Sequence, residues 1–334
     1  MPSAKQVKGS FVPMDIINID DIARLLDGKK DCLVGVSGGM DSMVLLHWLA
    51  RHRDLLPAPI RVMHVDHGIH PHSEDWSYHV MAACAILQIS CEVKRVSLDG
   101  LGNNLEYAAR QARYRAFCES GADALILAHH ANDQCESFLL KLFRGSGVKG
   151  LKAMDASAPC WYDANMMILR PMLNVTRDQI EAWAGEHGIV AIEDPSNSDN
   201  KYDRNYIRNR IWPVIQERFD IADINTIRSI QHLSEAWELT TMLADQDISA
   251  VTMPDGCLEW TKMRDLGYLR IKNMILRVLD LQGVYGFSVN HVEQFARGLL
   301  DADFDSRNEL SLRGFTMNKI GKRIHVGNNQ RKAA

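Results

Sequence analysis

From about residue 30 to residue 170 the chain repeats one pattern. A short apolar run is followed by a polar turn, then by ten or more residues whose apolar positions recur at helical spacing. Cys32-Leu33-Val34-Gly35-Val36 is the first such run and reads as a strand ending at Ser37-Gly38-Gly39. From Asp41, Met43, Val44, Leu45, Leu46, Trp48 and Leu49, interrupted by His47, predict a helix. Ile60 to Val65 predicts a second strand. A helix from about Ser73 to Leu87 follows, opened by the capping pattern Ser73-Glu74-Asp75-Trp76. Cys91 to Val96 and Ala124 to Ala128 predict further strands, Asn104 to Cys118 and the stretch from Asp133 helices, and Met167-Ile168-Leu169 a fifth strand. Strands alternating with helices of this length imply βαβ units and a parallel sheet. Ahead of them, Ile16 to Leu26 predicts a short helix and residues 1–12 a loose leader.

The pattern changes after Arg210-Ile211-Trp212-Pro213. Ile221 to Ile248, Met263 to Leu281 and Asn290 to Leu300 read as helices, and the alternating runs Glu309 to Phe315 and Arg323 to Val326 as a pair of strands. The expected organisation is an α/β domain over residues 1–219 and a mainly helical domain over 220–334. A chain of 334 residues, 46% hydrophobic and 24% charged, has the length and composition for two such cores. Seven cysteines form no Cys-x-x-Cys pair and no zinc spacing, and with no signal peptide this fits a reducing cytoplasm. No apolar run approaches the ~20 residues of a membrane span, so no membrane partner is expected.

A net charge of −4 argues against a large nucleic-acid footprint, but the distribution is uneven. Residues 201–218 hold Lys201, Arg204, Arg208, Arg210 and Arg218 against Asp203 and Glu217. From Leu310 to Ala334 the basic residues Arg313, Lys319, Lys322, Arg323, Arg331 and Lys332 face no carboxylate side chain. Either segment could follow a phosphate backbone, or be a solvated helix face and a frayed tail.

Polar clusters follow three of the predicted strands, and open α/β sheets bind ligands beyond the carboxyl ends of their strands. In the first, Ser37-Gly38-Gly39-Met40-Asp41-Ser42, a strand, a glycine turn and a helix start together form an anion site. Ser37 and Ser42 add hydroxyls, and Asp41 could hold Mg²⁺ or cap the helix. No lysine follows the glycines, which excludes Gly-x-x-x-x-Gly-Lys-Ser/Thr. The glycines at 145, 147 and 150 match Gly-x-Gly-x-x-Gly but follow a helix, so they read as a flexible loop.

The second cluster holds His64, Asp66, His67 and Gly68, with His70 and His72 beyond. Its spacing suits a nucleotide pocket better than tetrahedral zinc. In the third, His129-His130-Ala131-Asn132-Asp133-Gln134-Cys135-Glu136, Asp133 and Glu136 share a helix face. Two carboxylates beside a phosphate loop require an intervening cation, either Mg²⁺ or a cationic substrate; the alternative is an exposed acidic helix start. Arg110 and Arg113 also share a face and could clamp phosphate or carboxylate, or form an ordinary ion pair.

The Ser-Gly-Gly-x-Asp-Ser loop resembles that of the PP-loop ATP pyrophosphatases. Further motifs narrow the likeness: His64-Val65-Asp66-His67-Gly68, Ala109-Arg110-Gln111-Ala112-Arg113-Tyr114, Ala128 to Gln134, Arg144 to Leu151, Arg170-Pro171-Met172-Leu173, Glu193 to Asp199 and Arg204-Asn205-Tyr206-Ile207-Arg208. As an ordered set over about residues 30 to 219 they resemble the tRNA(Ile)-lysidine synthetases. Ser137 and Met172 stand where that family usually has threonine and leucine.

The resemblance implies a Rossmann-like parallel sheet of the PP-loop type and a helical second domain. It implies ligation of L-lysine to C2 of the wobble cytidine (position 34) of the CAU-anticodon tRNA(Ile). ATP and Mg²⁺ serve as cofactors, an adenylated cytidine is the intermediate, and lysidine, AMP and pyrophosphate are the products. The codon read then changes from AUG to AUA. Ser37, Gly38, Gly39, Met40, Asp41 and Ser42, with His64, Asp66 and His67, would bind the nucleotide, Asp41 also taking Mg²⁺. Asp133 and Glu136 would take the ammonium groups of lysine, and Arg113 its carboxylate or the α-phosphate. Arg204, Asn205 and Arg208 would neutralise the adenylate or grip RNA. A PP-loop tRNA thiolase shares the fold but usually needs paired cysteines, a cluster or a persulfide carrier. A regulatory nucleotide-binding module would not need all these charged groups at one edge. Oligomeric state is left open, a homodimer included.

Overall fold

The structure, a computed structural model, describes residues 15–97, 105–312 and 314–328. The leader over 1–12, the start of the Asn104 helix, and Arg313, Arg331 and Lys332 lie outside the described residues. The chain divides into two compact units between Gln231 and His232.

The first unit contains α1 (Ile19–Leu26), β1 (Cys32–Gly35), α2 (Met40–Arg51), β2 (Ile60–Asp66), α3 (Ser73–Leu87), β3 (Cys91–Arg95), α4 (Leu105–Glu119) and β4 (Ala124–Ile126). It continues with α5 (Ala131–Phe143), α6 (Val148–Leu151), β5 (Ser157–Pro159), β6 (Met167–Leu169), α7 (Arg177–Glu186), α8 (Asp203–Tyr206), a π-helical turn (Ile207–Ile211) and α9 (Trp212–Arg218). The next helix, α10 (Ala222–Val251), runs across the division. It begins just after the boundary expected at 219/220. Its first turns still pack on α5, where Ala222 and Ile227 join Cys135 and Trp212 in a small apolar cluster.

The sheet order is β3-β2-β1-β4-β6-β5, and every pairing is parallel except β5 on β6. The sequence pattern anticipates the parallel strands because they are covered on both faces and read as unbroken apolar runs: Cys32, Leu33 and Val34 are fully buried. It misses β5, which is three residues long, ends in proline and lies at the edge, where proline is tolerated. Helix α2 buries Met43, Val44, Leu45, Leu46, Trp48 and Leu49 almost all round, as a helix set between sheet and neighbours must. Helix α3 spans the predicted residues, but its N-cap is His72 without a side-chain cap bond, so Ser73 is its first helical residue rather than its cap. The strand order reverses between β1 and β4, which makes the crevice beyond their carboxyl ends the expected ligand position. The loop at 145–150 is a turn that closes into the short α6.

The second unit comprises the rest of α10, then β7 (Leu258–Glu259), α11 (Trp260–Asp265), α12 (Tyr268–Leu281), α13 (Val289–Asp301), β8 (Asn308–Leu312), β9 (Phe315–Ile320) and β10 (Arg323–Asn328). The helix expected over 263–281 is broken at Gly267, whose φ of +77° the helix backbone does not adopt. The two strands expected to pair with each other do not. They flank β9 in an antiparallel sheet ordered β7-β10-β9-β8. Strand β9 escapes the pattern because an inward position is a lysine: Phe315, Met317 and Lys319 alternate into the core, and Lys319 is 1% exposed. Its Nζ donates to the carbonyls of Asp303 (2.7 Å), Phe304 (3.2 Å) and Ser306 (2.9 Å) and sits 4.2 Å from the Trp260 ring centre. Lys319 is therefore a core fastener and not part of a phosphate-facing tail. Among the described residues no helix is long and apolar enough to cross a membrane.

Candidate active site

Beyond β1 the chain turns at Gly38, whose φ of +91° lies in the region glycine adopts without strain. A Cβ there would stand 2.7 Å from Ile192 Cδ1, and Ile192 N–H donates to the Gly38 carbonyl (2.9 Å). Residue 192 thus closes one side of the loop. The hydroxyls are spent on the loop's own shape. Ser42 Oγ donates to the Gly39 carbonyl (2.9 Å) and accepts from Ser37 N–H (3.2 Å), and Ser37 Oγ accepts from Gly39 N–H (3.3 Å). Helix α2 starts at the Gly39 N-cap with no side-chain cap, so its first-turn N–H groups carry the anion-binding capacity. Asp41 is not the cap.

The Asp41 carboxylate instead joins three helix starts. Oδ1 lies 3.3 Å from Arg177 Nη1 at the start of α7, and Oδ2 lies 3.6 Å from His130 Nε2 at the N-cap of α5. His130 Nδ1 accepts from Asn132 N–H (3.3 Å), and His130 N–H donates to Asp133 Oδ2 (3.0 Å). Asn132 Oδ1 receives Arg177 N–H (3.0 Å), tying α7 to α5. Burial alone would lower the His130 pKa. The close Asp41 carboxylate and the charges of Asp133 and Glu136 raise it instead.

Asp133 and Glu136 face inward from α5 and are only 8% and 2% exposed. The cation that two such carboxylates require is supplied by the chain itself. Arg204 reaches both, Nε to Glu136 Oε2 (2.7 Å) and Nη2 to Asp133 Oδ1 (2.8 Å). Arg208 does the same, Nε to Glu136 Oε1 (2.6 Å) and Nη2 to Glu136 Oε2 (3.0 Å) and Asp133 Oδ1 (3.2 Å). The residues read from sequence as a lysine site and as a phosphate or RNA grip are, in this structure, one closed cluster. Burial would raise the Asp133 pKa, but the charges of His130, Arg204 and His129 and the His130 N–H hold it down at about 2.

Three buried nitrogens at this edge have no hydrogen-bond partner among the described residues: His67 Nδ1 after β2, His129 Nδ1 after β4 and Arg170 Nε after β6. Buried polar atoms are nearly always paired, so three orphans at the ends of β2, β4 and β6, on both sides of the β1 loop, mark where a polar ligand would sit. Burial pushes His129 down to about 3 and, aided by Arg113, His67 down to about 4, so both rings are neutral near pH 7. His64 is buried and donates Nδ1–H to the Val36 carbonyl (2.9 Å), which bolts β2 to the phosphate loop.

A PP-loop domain family matches residues 14–215, more than half of the chain. The chain belongs to the PP-loop family. The tRNA(Ile)-lysidine synthases of Salmonella dublin and of Salmonella typhimurium strain LT2 are each 38% identical to it over 264 residues, covering 77% of this chain and 60% of theirs. The chain thus spans less than two thirds of the length of these relatives. Among solved structures, the U34-tRNA thiolase NcsA from Methanococcus maripaludis, described with its [4Fe-4S] cluster, is similar with a TM-score of 0.53 at 17% identity. The match covers 65% of this chain and 77% of that one, and shows the fold.

Other predicted residues of the PP-loop domain fall in less direct places. Asp66 accepts from Gly68 N–H (2.8 Å) and from Arg95 Nε (3.1 Å), so its carboxylate shapes the turn rather than facing a ligand. Asn205 Nδ2 donates to the Asp199 carbonyl (3.0 Å), bracing its own segment. Arg113 lies near His67 and bears on its charge, whereas Arg110 stacks on Tyr114 at 4.9 Å. Sequence reasoning missed Arg177. The available signal was the capping box Thr176-x-x-Gln179 that opens α7, but its partner Asp41 is 136 residues away.

Asp41 is the one carboxylate of the loop itself, and among the described residues no three His, Cys, Asp or Glu side chains converge as a metal cage. That donor set fits Mg²⁺ carried in on phosphate oxygens with one carboxylate added.

Proposed function

We propose that this chain catalyses the ATP-dependent ligation of L-lysine to C2 of the wobble cytidine in a CAU-anticodon tRNA(Ile). One observation carries the reading. The pyrophosphate loop and a buried two-carboxylate, two-arginine cluster are joined through Asp41 and His130 at one sheet edge, in a chain 38% identical to tRNA(Ile)-lysidine synthases.

In this reading the cytidine O2 attacks the α-phosphorus of ATP, the bond to the β-phosphate oxygen breaks, and pyrophosphate leaves into the N–H groups at the start of α2. The amine of lysine then attacks C2, the C2–O bond breaks, and AMP departs with the oxygen while the amine gives up its proton. Mg²⁺, held by the phosphates and Asp41, would supply positive charge as the pyrophosphate separates. The neutral rings of His67 and His129 present lone pairs and N–H groups without adding charge, which suits hydrogen bonding to a base edge. Helix starts of α2, α5 and α7 direct their positive ends at the phosphates.

The experiment follows radiolabelled lysine and nucleotide products together. Transcripts of tRNA(Ile) with a CAU anticodon incorporate lysine, the same transcript with UAU does not, and ATP yields AMP and pyrophosphate. Stoichiometric ADP would overturn the phosphate-loop assignment. Equal labelling of both transcripts, or sulfur incorporation instead, would overturn the acceptor.

A further inference from the structure

We infer that Arg204 and Arg208 are internal stand-ins for the two ammonium groups of the amino-acid substrate, released to phosphate as that substrate enters. The inference rests on the lysine reading above and adds to it an exchange, with an order of binding and a basis for selectivity.

Three features carry it. First, the carboxylates are fixed and the arginines are not equally so. Asp133 and Glu136 lie on the thirteen-residue α5, capped and buried, with side chains 11% and 3% exposed; those of Arg204 and Arg208 are 32% and 36% exposed. Second, the arginines lie on the first half of a continuous helical stretch, 203–218, in which α8 runs into a π-helical turn and then into α9, while Trp212 beyond them is buried against α5. π-helical geometry is rare and concentrates at functional sites. The π-turn is the point at which this stretch can bend between the arginines and the Trp212 anchor. Third, removing a cation from a buried pair leaves an uncompensated charge at high cost, so the arginines leave only a small part of the time unless another cation takes their place.

Two guanidinium groups serve two carboxylates here. The replacement must therefore bring two cationic groups, and L-lysine brings an α-ammonium and an ε-ammonium. A monoamino acid would compensate only one of the two. The displaced guanidiniums lie beside the phosphate loop, where Arg208 already feels the charge of Asp41. Phosphate groups of the nucleotide or RNA are the natural receivers, since guanidinium pairs with them in bidentate fashion. Lysine and the phosphate-bearing substrates then favour each other's binding, and the coupling is reciprocal.

The test is calorimetric titration of lysine into the full chain, alone and with an anticodon stem-loop RNA plus α,β-methylene-ATP. If the arginines hold the carboxylates closed about nine-tenths of the time, adding RNA and nucleotide lowers the lysine Kd by about tenfold. Arg208→Gln binds lysine several-fold more tightly without RNA and responds less to RNA, Arg204 alone still reaching both carboxylates. Arg208→Lys restores part of the coupling, and norleucine, with one ammonium group, shows none. Lysine affinity indifferent both to RNA and to Arg208→Gln would overturn the exchange and leave the lysine reading standing. Absence of lysine binding under every condition would overturn that reading itself. If Arg208→Gln does not fold, the comparison in the unaltered protein decides alone.

Discussion

Replacing Glu136 with glutamine changes almost no volume and removes one charge at the centre of the cluster. The side chain is 2% exposed and accepts from Arg204 Nε at 2.7 Å and from Arg208 Nε and Nη2 at 2.6 and 3.0 Å. Glutamine keeps one acceptor and turns an amide N–H toward a guanidinium N–H, so at least one strong bond becomes a clash of donors. Breaking a buried pair by removing one partner costs about 3–5 kcal/mol. Both arginines are about one-third exposed and recover part of their hydration, which cuts the expected loss to about 2 kcal/mol. For a unit of this size that corresponds to a fall in Tm of about 4–8 °C. Scanning calorimetry of the full chain is the assay, because two compact units can melt separately and the lower transition must be assigned. A shift smaller than about 1 °C, the size expected of a surface substitution, would refute the account of a tightly closed cluster.

Gly38→Ala forces a left-handed residue to carry a Cβ against Ile192; backbone strain of about 1–2 kcal/mol lowers the Tm of the first unit by about 2–8 °C, and an unchanged Tm would contradict the close-packed loop. Asp133 is held at about 2 against an ordinary 3.8, a depressed pKa, so its contribution to stability is present above pH 3.8 and is lost as pH falls through about 2. Urea midpoints of Asp133→Asn should therefore fall less steeply than those of the unaltered chain between those values, and parallel slopes would count against the pairing. Deleting residues 317–334 removes most of β9, all of β10 and the Lys319 fastener, so the melting transition of the second unit is lost rather than RNA affinity alone. Exposed basic groups are tested instead by Lys322→Gln with Arg323→Gln, which flattens the salt slope of tRNA binding by roughly 0.7–0.9 for each phosphate no longer neutralised; an unchanged slope would refute phosphate contact at these residues.

What the sequence determined by itself is local or periodic. Strand β1, the glycine turn and α2 are specified within about twenty residues, because burial on both faces leaves an unbroken apolar run and the turn needs glycine. The alternation of strands and helices settles a parallel sheet for the same reason, and from it the edge where ligands gather. Even the need for a cation beside Asp133 and Glu136 follows from charge alone. Its identity does not, since the partners lie 68 to 75 residues away on a turn whose position is set by packing of Trp212. Arg177 reaches Asp41 across 136 residues, and β9 hides behind an inward lysine satisfied by three carbonyls from another segment. Hydrophobic periodicity reports which side of an element faces inward. Which charges then meet depends on distances between elements, and those exist only once the chain has folded.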